Sequence, residues 1–188
     1  MVERISALSG RYHRGKYGKG GEPQVVLLEV PGISLHQLSS WPDTLDQVGL
    51  VAADSIGVGE FPGPGRAVVG SQGSLLRIEP LKWWCYGSKE AFSSLPADVG
   101  TALDLSHSRA HVRVTGSEAE ACLGRLMPLD FRLDACPIGS VMSTSFHHVA
   151  ITTWRSEAGY ELFIPRGFAL SLWEILVKTA TQFGVEIS

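Results

Sequence analysis

The chain has 188 residues, of which 44% are hydrophobic and 19% charged, and this composition is typical of a globular protein with a sizeable core. Its net charge of −3 argues against general nucleic-acid binding. The sequence contains no run of about 18 apolar residues, so we predict no transmembrane helix. The segment 1–21 lacks the apolar stretch of a secretory signal. Because the three cysteines, Cys85, Cys122 and Cys136, lie far apart and do not suggest a disulfide framework, we expect a cytoplasmic protein.

The N-terminal segment is basic and rich in glycine. Residues 1–20 have a net charge of +4, which leaves −7 for the rest of the chain; their cations, opposed only by Glu3, are Arg4, Arg11, Arg14, Lys16 and Lys19. We predict that residues 1–24 are a flexible leader. Two interpretations remain open. The leader is either a solvated, disordered tail or an arm that docks on an acidic partner through Tyr12 and Tyr17.

The predicted first lobe, residues 25–96, combines short strands with one helix. Patterns of β-prone or alternating residues predict strands over 25–30, 33–40, 66–70, 74–79 and 82–87. A helix begins at Pro42-Asp43-Thr44 and fades near residue 56, before a turn-rich loop over 57–66. A helix-prone piece at 90–92 then leads to Leu95-Pro96, the predicted end of the lobe.

Two adjacent tryptophans, Trp83 and Trp84, stand on the last strand of this lobe. Neighbouring side chains on a strand point to opposite faces, so one ring faces the core. Either both rings are packed, or the outward ring anchors a protein interface.

The predicted second lobe, residues 97–188, repeats the alternation of hairpins and single helices. Strands are predicted over 100–107, 109–116, 140–155 and 160–164. One helix is capped by Ser117 and ended by Pro128, and a longer helix spans roughly 166–183. Because the strands form hairpins interrupted by single helices, we predict an α+β fold of two small lobes, with antiparallel sheets and helices packed on one face.

Motifs that support catalysis are scarce. His147 and His148 project from opposite faces of a predicted strand, so they cannot share a metal ion. His107, beside Ser106, is better explained by a turn or capping role than by serine catalysis. The glycine-rich segments 15–23 and 57–65 lack the strand and helix context of a phosphate-binding loop. We therefore predict no catalytic, cofactor-binding or metal-binding residues in this chain.

Five blocks of sequence together resemble the gamma subunit of heterotetrameric sarcosine oxidase. In order they are LHQLSSWPDT (35–44), LLRIEPLKWW (75–84), DLSHSRAHVRVTG (104–116), PLDFRLDACPIGS (128–140) and ELFIPRGFALSLWEIL (161–176). The segment 104–127 is also similar to glycine-cleavage aminomethyltransferases, in its DxSH turn, strand and following helix. The resemblance implies a fold like the folate-binding domain of aminomethyltransferases.

The resemblance also implies a function in assembly. The chain would be a non-catalytic gamma subunit of a flavoenzyme complex that oxidatively demethylates sarcosine or oxidises a related secondary amine. Its partners would be the alpha, beta and delta subunits. In that family, FAD, FMN, NAD and tetrahydrofolate belong to the alpha and beta subunits and zinc to delta, so no cofactor is expected on this chain.

Within this interpretation, the basic arm and the outward face of the strand 82–87 are the expected docking surfaces, and the isolated chain could self-associate through them. No nucleic-acid or membrane partner is expected. Two alternatives stay open. The chain is a free-standing folate-binding or aminomethyltransferase-like protein, or it is a scaffold that has kept the fold and changed its partners.

Overall fold

A computed structural model of the chain describes residues 5–18, 20–88 and 95–188. They form two compact units. Unit 1 comprises the chain up to Gly32 together with Ser108–Ile138 and Ser143–Ser188, and unit 2 comprises Ile33–His107 and Gly139–Met142. The predicted lobes, 25–96 and 97–188, differ from these units. The reason is that residues 25–29 pair with residues 112–115 and 185–187, in the second half of the chain, rather than with their neighbours in sequence.

The order of helices and strands is that of an α+β protein, as predicted. In chain order the strands are β1 (Gly15–Tyr17), β2 (Val25–Glu29), β3 (Leu35–Ser40), β4 (Ala67–Val69), β5 (Ser74–Glu79), β6 (Lys82–Tyr86), β7 (Gly100–Asp104), β8 (Arg109–Thr115), β9 (Val141–Phe146), β10 (Val149–Ser156), β11 (Gly159–Pro165) and β12 (Val185–Ile187). The α-helices are α1 (Leu45–Asp54), α2 (Ala119–Gly124) and α3 (Ala169–Ala180). Short 3-10 turns lie at Pro42–Thr44, Arg166–Phe168 and Thr181–Phe183. No helix of the described residues is long and apolar enough to cross a membrane.

Unit 1 contains a seven-stranded sheet with the order β1-β12-β2-β8-β11-β10-β9. β12 runs parallel to β2, whereas β1, β8 and β11 pair with their neighbours in antiparallel fashion. Val112 and Val114 of β8 lie on the same face of the sheet as Leu162 of β11, and all three are fully buried. Along α3, the buried residues recur at helical spacing, which gives this helix one apolar side; they are Ala169, Leu172, Trp173, Leu176 and Ala180.

Unit 2 contains a five-stranded antiparallel sheet with the order β4-β5-β6-β3-β7. Helix α1 packs on one of its faces, because Val48 and Ala52 belong to a single buried cluster with Leu38, Leu75 and Trp83 of the sheet. Of the three residues whose spacing predicted this helix, Leu45 and Val48 pack in or against this cluster, whereas Val51 is 42% exposed.

The predicted flexible leader is replaced by an ordered arm over residues 5–18. Leu8 is 1% exposed, and β1 pairs with the C-terminal strand β12. Tyr12 stacks on Trp173 of α3 with the ring centroids 5.3 Å apart. Apolar contacts and a strand pairing thus hold a segment whose glycines and cations suggested disorder.

Four further elements differ from the predictions. The strand predicted over 140–155 is interrupted, so that β9 and β10 form a hairpin. The helix expected between Ser117 and Pro128 is shorter, from Ala119 to Gly124, and its N-terminus has no side-chain cap. The sequence patterns did not predict β1 or β12. The helix-prone piece at 90–92 lies outside the described residues.

Candidate functional site

A buried polar network lies in the sheet of unit 1. The antiparallel register of β8 and β11 places Arg113 opposite Glu161 and His111 opposite Phe163, so that all four side chains share one face. The Glu161 carboxylate accepts hydrogen bonds from Arg113 Nε at 2.8 Å and from Ser156 Oγ at 2.7 Å. His111 Nε2 lies 2.7 Å from its other oxygen. The His111 ring stacks on Phe163, with centroids 4.7 Å apart.

The electrostatics of this network suit structure better than catalysis. Glu161 is 0% exposed and His111 is 1% exposed. Burial alone would raise the pKa of Glu161, but hydrogen bonds from His111, Ser156 and Arg113 outweigh it and hold the pKa below its ordinary value. An ionised carboxylate with three donors already in place is a poor general base, because a substrate proton has no position from which to approach it. The network instead ties β8, β10 and β11 together.

Sequence reasoning did not identify this network. The available signal was Glu161 itself, which interrupts an otherwise apolar run, YELFIP, in residues 160–165. A carboxylate in a strand that is buried on both faces requires polar partners. The identity of those partners depends on the register between strands that are about 50 residues apart, and local sequence patterns do not contain that register.

The histidine pair forms a turn rather than part of a strand. His147 and His148 connect β9 to β10, and both side chains are exposed. His147 adopts a φ of 52°, in the left-handed region that strands exclude. The prediction of opposite faces on a strand is therefore wrong. Among the residues that the structure describes, no group of three or more histidine, cysteine, aspartate or glutamate side chains could hold a metal ion.

Ser106 and His107 lie in the turn after β7. Asp104 Oδ1 accepts the Ser106 N–H at 2.8 Å, and Ser106 Oγ accepts the Leu35 N–H at 2.9 Å. The hydrogen bonds from Ser106 lower the pKa of Asp104. Ser106 therefore joins the turn to β3, which is the structural role that the sequence indicated. Its neighbour His107 is exposed and lies beside the Ser106 hydroxyl, which already bonds the backbone.

Both tryptophans of β6 are buried, Trp83 at 0% and Trp84 at 3% exposure. Trp83 belongs to the α1 cluster and meets Phe61 edge-on, with centroids 5.8 Å apart. Trp84 Nε1 donates to Gln37 Oε1 of β3 at 3.2 Å. Of the two interpretations, the one with two packed rings is correct, and Trp84 is not an exposed interface anchor.

The N-terminal arm and α3 line a cleft of about 340 Å³ in unit 1. Its apolar lining includes Trp173, Val177 and Ile187, and its rim carries Arg11 and Glu174, whose charged groups are 3.6 Å apart. Both of these side chains are more than half exposed, so the ion pair is weak. Lys178 also lines the cleft, so its arginine and lysine outnumber the single carboxylate of Glu174.

A smaller, polar cleft of about 230 Å³ lies near the turn between β10 and β11. Its lining includes Glu120, Arg155, Glu157 and Tyr160. The Arg155 guanidinium lies 4.0 Å from the centre of the Tyr160 ring, and Tyr160 Oη donates to the Phe131 carbonyl at 2.7 Å. Burial raises the pKa of Tyr160 well above its ordinary value. The hydroxyl therefore stays protonated and anchors the loop after α2.

The cysteines offer no nucleophile either. Cys85, Cys122 and Cys136 are free and buried. Burial raises the pKa of Cys122 to about 11, so its thiol is protonated at neutral pH.

Comparisons with known proteins show which solved structures share the fold of this chain. No protein-family model and no curated protein matches the chain. A heterotetrameric sarcosine oxidase from Corynebacterium sp. U-96, solved in complex with pyrrole 2-carboxylate, contains a chain that is 19% identical, with a TM-score of 0.79 over 96% of both chains. The two chains share one fold. The resemblance that the sequence blocks indicated is confirmed at this level.

The glycine-cleavage aminomethyltransferase T from Bartonella henselae has the same fold over part of its length. It is 15% identical, with a TM-score of 0.59, over 87% of this chain. The match spans only 47% of the aminomethyltransferase, about half of that protein. The predicted fold class, α+β and like that of aminomethyltransferases, is therefore confirmed.

Proposed function

We propose that this chain is the gamma-type subunit of a heterotetrameric flavoenzyme complex of the sarcosine oxidase type, and that it acts in assembly. The observation that carries the proposal is the mutual coverage of 96% with a chain of such a complex. The five sequence blocks, spread in order over residues 35–176, support the same conclusion independently.

The described residues also favour a role without catalysis. The most elaborate polar constellation, around His111 and Glu161, is buried and has its hydrogen bonds satisfied internally. In the proposed complex, the alpha and beta subunits bind FAD, FMN, NAD and tetrahydrofolate, delta binds zinc, and sarcosine or a related secondary amine is oxidised on those larger chains. The role of this chain is then to contact the larger subunits and hold the assembly together.

The test is purification of the tagged chain from its native host, with identification of the copurifying chains and an absorption spectrum. We expect flavin-containing chains in equal stoichiometry, a yellow preparation and hydrogen peroxide on addition of sarcosine. Peroxide with proline in place of sarcosine would keep the assembly and change the substrate. A colourless chain that purifies alone would contradict the proposal.

The second candidate is a free-standing folate-binding or aminomethyltransferase-like protein. It is favoured by the fold shared with aminomethyltransferase T over 87% of this chain, a match that spans 47% of that enzyme. Calorimetric titration of the isolated chain with tetrahydrofolate separates the two. Saturable binding by the solitary chain would favour this candidate, whereas no binding combined with a copurified flavoprotein supports the assembly role.

A further inference from the structure

Helix α1 of unit 2 presents an outer face that is apolar at its centre. The inner side of the helix is buried through Val48 and Ala52, whereas Leu50 is 51% exposed and Val51 is 42% exposed. On a helix, residues four apart lie on one side, so the exposed Asp54 stands one turn beyond Leu50. The exposed Gln47 stands one turn before Val51. These four residues, Gln47, Leu50, Val51 and Asp54, define the outer face of α1.

The orientation of the helix is fixed, so this face cannot turn inwards. A Cβ added to Gly49 would lie 2.5 Å from the Phe61 ring, which shows how closely that ring covers the flank of α1. The guanidinium of Arg77 lies 5.6 Å from the centre of the Phe61 ring and 5.3 Å from that of Trp83. Core contacts on one side and an aromatic ring on the flank therefore hold Leu50 and Val51 towards solvent.

The outer face carries one charged side chain, the exposed carboxylate of Asp54. Within unit 2, residues 33–65 contain no lysine or arginine and four carboxylates, which are Asp43, Asp46, Asp54 and Glu60. The buried Arg77 attracts Asp46 from the inner side of the helix. The cation nearest to Asp54 in the sequence is Arg66, twelve positions away.

We propose that the outer face of α1 docks on a larger subunit of the complex, in an apolar groove that is rimmed by lysine or arginine. The inference rests on the proposed function and names the surface that serves it. Interfaces combine an apolar centre with a polar rim, as this face does. Cations on the partner complement the Asp54 carboxylate, which in turn disfavours contacts with acidic surfaces.

Two experiments on the complex purified from the native host test this surface. In the first, a photoreactive benzoylphenylalanine replaces Leu50 in one variant and Val69, which is 65% exposed on β4, in the control variant. We expect the probe at position 50 to cross-link to a flavin-containing chain. The residue that it cross-links to should have a lysine or arginine near it, within one helical turn or on the same strand. The probe at position 69 should give little of that product.

In the second experiment, Leu50→Lys places a cation on the face, and Val69→Lys is the matched control. We expect Leu50→Lys to weaken retention of the flavin-containing chains about tenfold, which is a typical loss for a central interface residue, and Val69→Lys to leave it unchanged. Both variants should unfold at the temperature of the natural chain, since both positions are exposed. Retention should also fall as the salt concentration rises.

The outcomes separate this inference from the proposed function. Flavin-containing chains that copurify but do not cross-link from position 50, and that tolerate Leu50→Lys, would overturn the docking surface and leave the proposed function standing. A cross-link between two copies, or within one chain, would identify a different occupant and also overturn it. If no flavin-containing chain copurifies, the proposed function fails and this inference fails with it.

Discussion

At the residue scale, the carboxylate of Glu161 is the most tightly constrained charge in the described structure. It lies at 0% exposure and is bound by three donors from two neighbouring strands, His111 and Arg113 of β8 and Ser156 of β10. A buried charge costs several kcal/mol in lost hydration, and its partners offset that cost only while all of them remain in place. The network therefore selects one register of β8 and β11, since a shift by one residue would move the donors to the other face.

The first prediction concerns loss of that charge. Glu161→Gln keeps the shape of the side chain but removes the charge that Arg113 and His111 face, so we expect the free energy of unfolding to fall by about 3–5 kcal/mol. Asp130→Asn is the control, because Asp130 makes an exposed ion pair with Arg132 and its loss should not change stability measurably. Urea denaturation measures both variants. Equal effects at the two positions would show that the buried network contributes no more than a surface pair.

The second prediction concerns acid. The pKa of Glu161 is lowered in the folded state, so its contribution to stability is fully present above the pKa of the unfolded state, about 4.3. That contribution is lost as the pH falls from there through the lowered folded pKa. We expect the natural chain to lose unfolding free energy below about pH 4.3 more steeply than Glu161→Gln, which lacks the titrating group. Parallel pH profiles for the two proteins would contradict this assignment.

At the element scale, the sequence predicted the helices and strands whose hydrophobic patterns are long and are bounded by turn or cap residues. The alternation of apolar and polar residues predicted β3 and β8, and the spacing of Leu45, Val48 and Val51 predicted α1. β1 and β12 have three residues each, too few to show a period. The turn at His147–His148 carries no glycine, proline or asparagine and is flanked by two β-prone runs, so its sequence reads as continuous strand.

The third prediction concerns the arm that holds β1 against β12. The Tyr12 hydroxyl donates to the Ser188 carbonyl and accepts the Glu29 N–H at 3.0 Å, so it links the arm to both β2 and the end of β12. Tyr12→Phe keeps the stack on Trp173 but leaves these backbone groups without the hydroxyl. We expect a loss of about 1–3 kcal/mol in unfolding free energy and faster hydrogen exchange in β12.

Tyr17→Phe provides the matched control for the arm. The Tyr17 hydroxyl also bonds backbone carbonyls, those of His13 and Arg14, but its side chain is 41% exposed and water can replace these bonds. We expect a change within about 0.5 kcal/mol. If Tyr12→Phe were as mild as Tyr17→Phe, the arm would be a loosely attached tail, and docking on an acidic partner would again explain its cations.

At the scale of the whole molecule, the chain is divided in space differently from how it is divided in sequence. Unit 1 draws on three separate stretches and unit 2 on two. The sequence indicated two α+β lobes in succession, because each half contains hairpins and a helix. Local patterns identify strands but not their partners, and the pairing of β2 with β8 joins residues that are almost 90 positions apart. Contiguous and interleaved arrangements of the same elements therefore look alike in the sequence.

The fourth prediction follows from the place of β2 inside the sheet of unit 1. β2 pairs on one side with β8 and on the other with β12, so a fragment that lacks it cannot join β12 and β1 to the remaining strands. We expect the isolated fragment 97–188, the predicted second lobe, to be largely unfolded by circular dichroism and amide chemical-shift dispersion. A peptide of residues 5–32 supplies β1 and β2, and adding it to fragment 108–188 should restore cooperative unfolding. Cooperative unfolding of fragment 97–188 alone would instead show that the chain folds as two successive lobes, with β2 dispensable for the second.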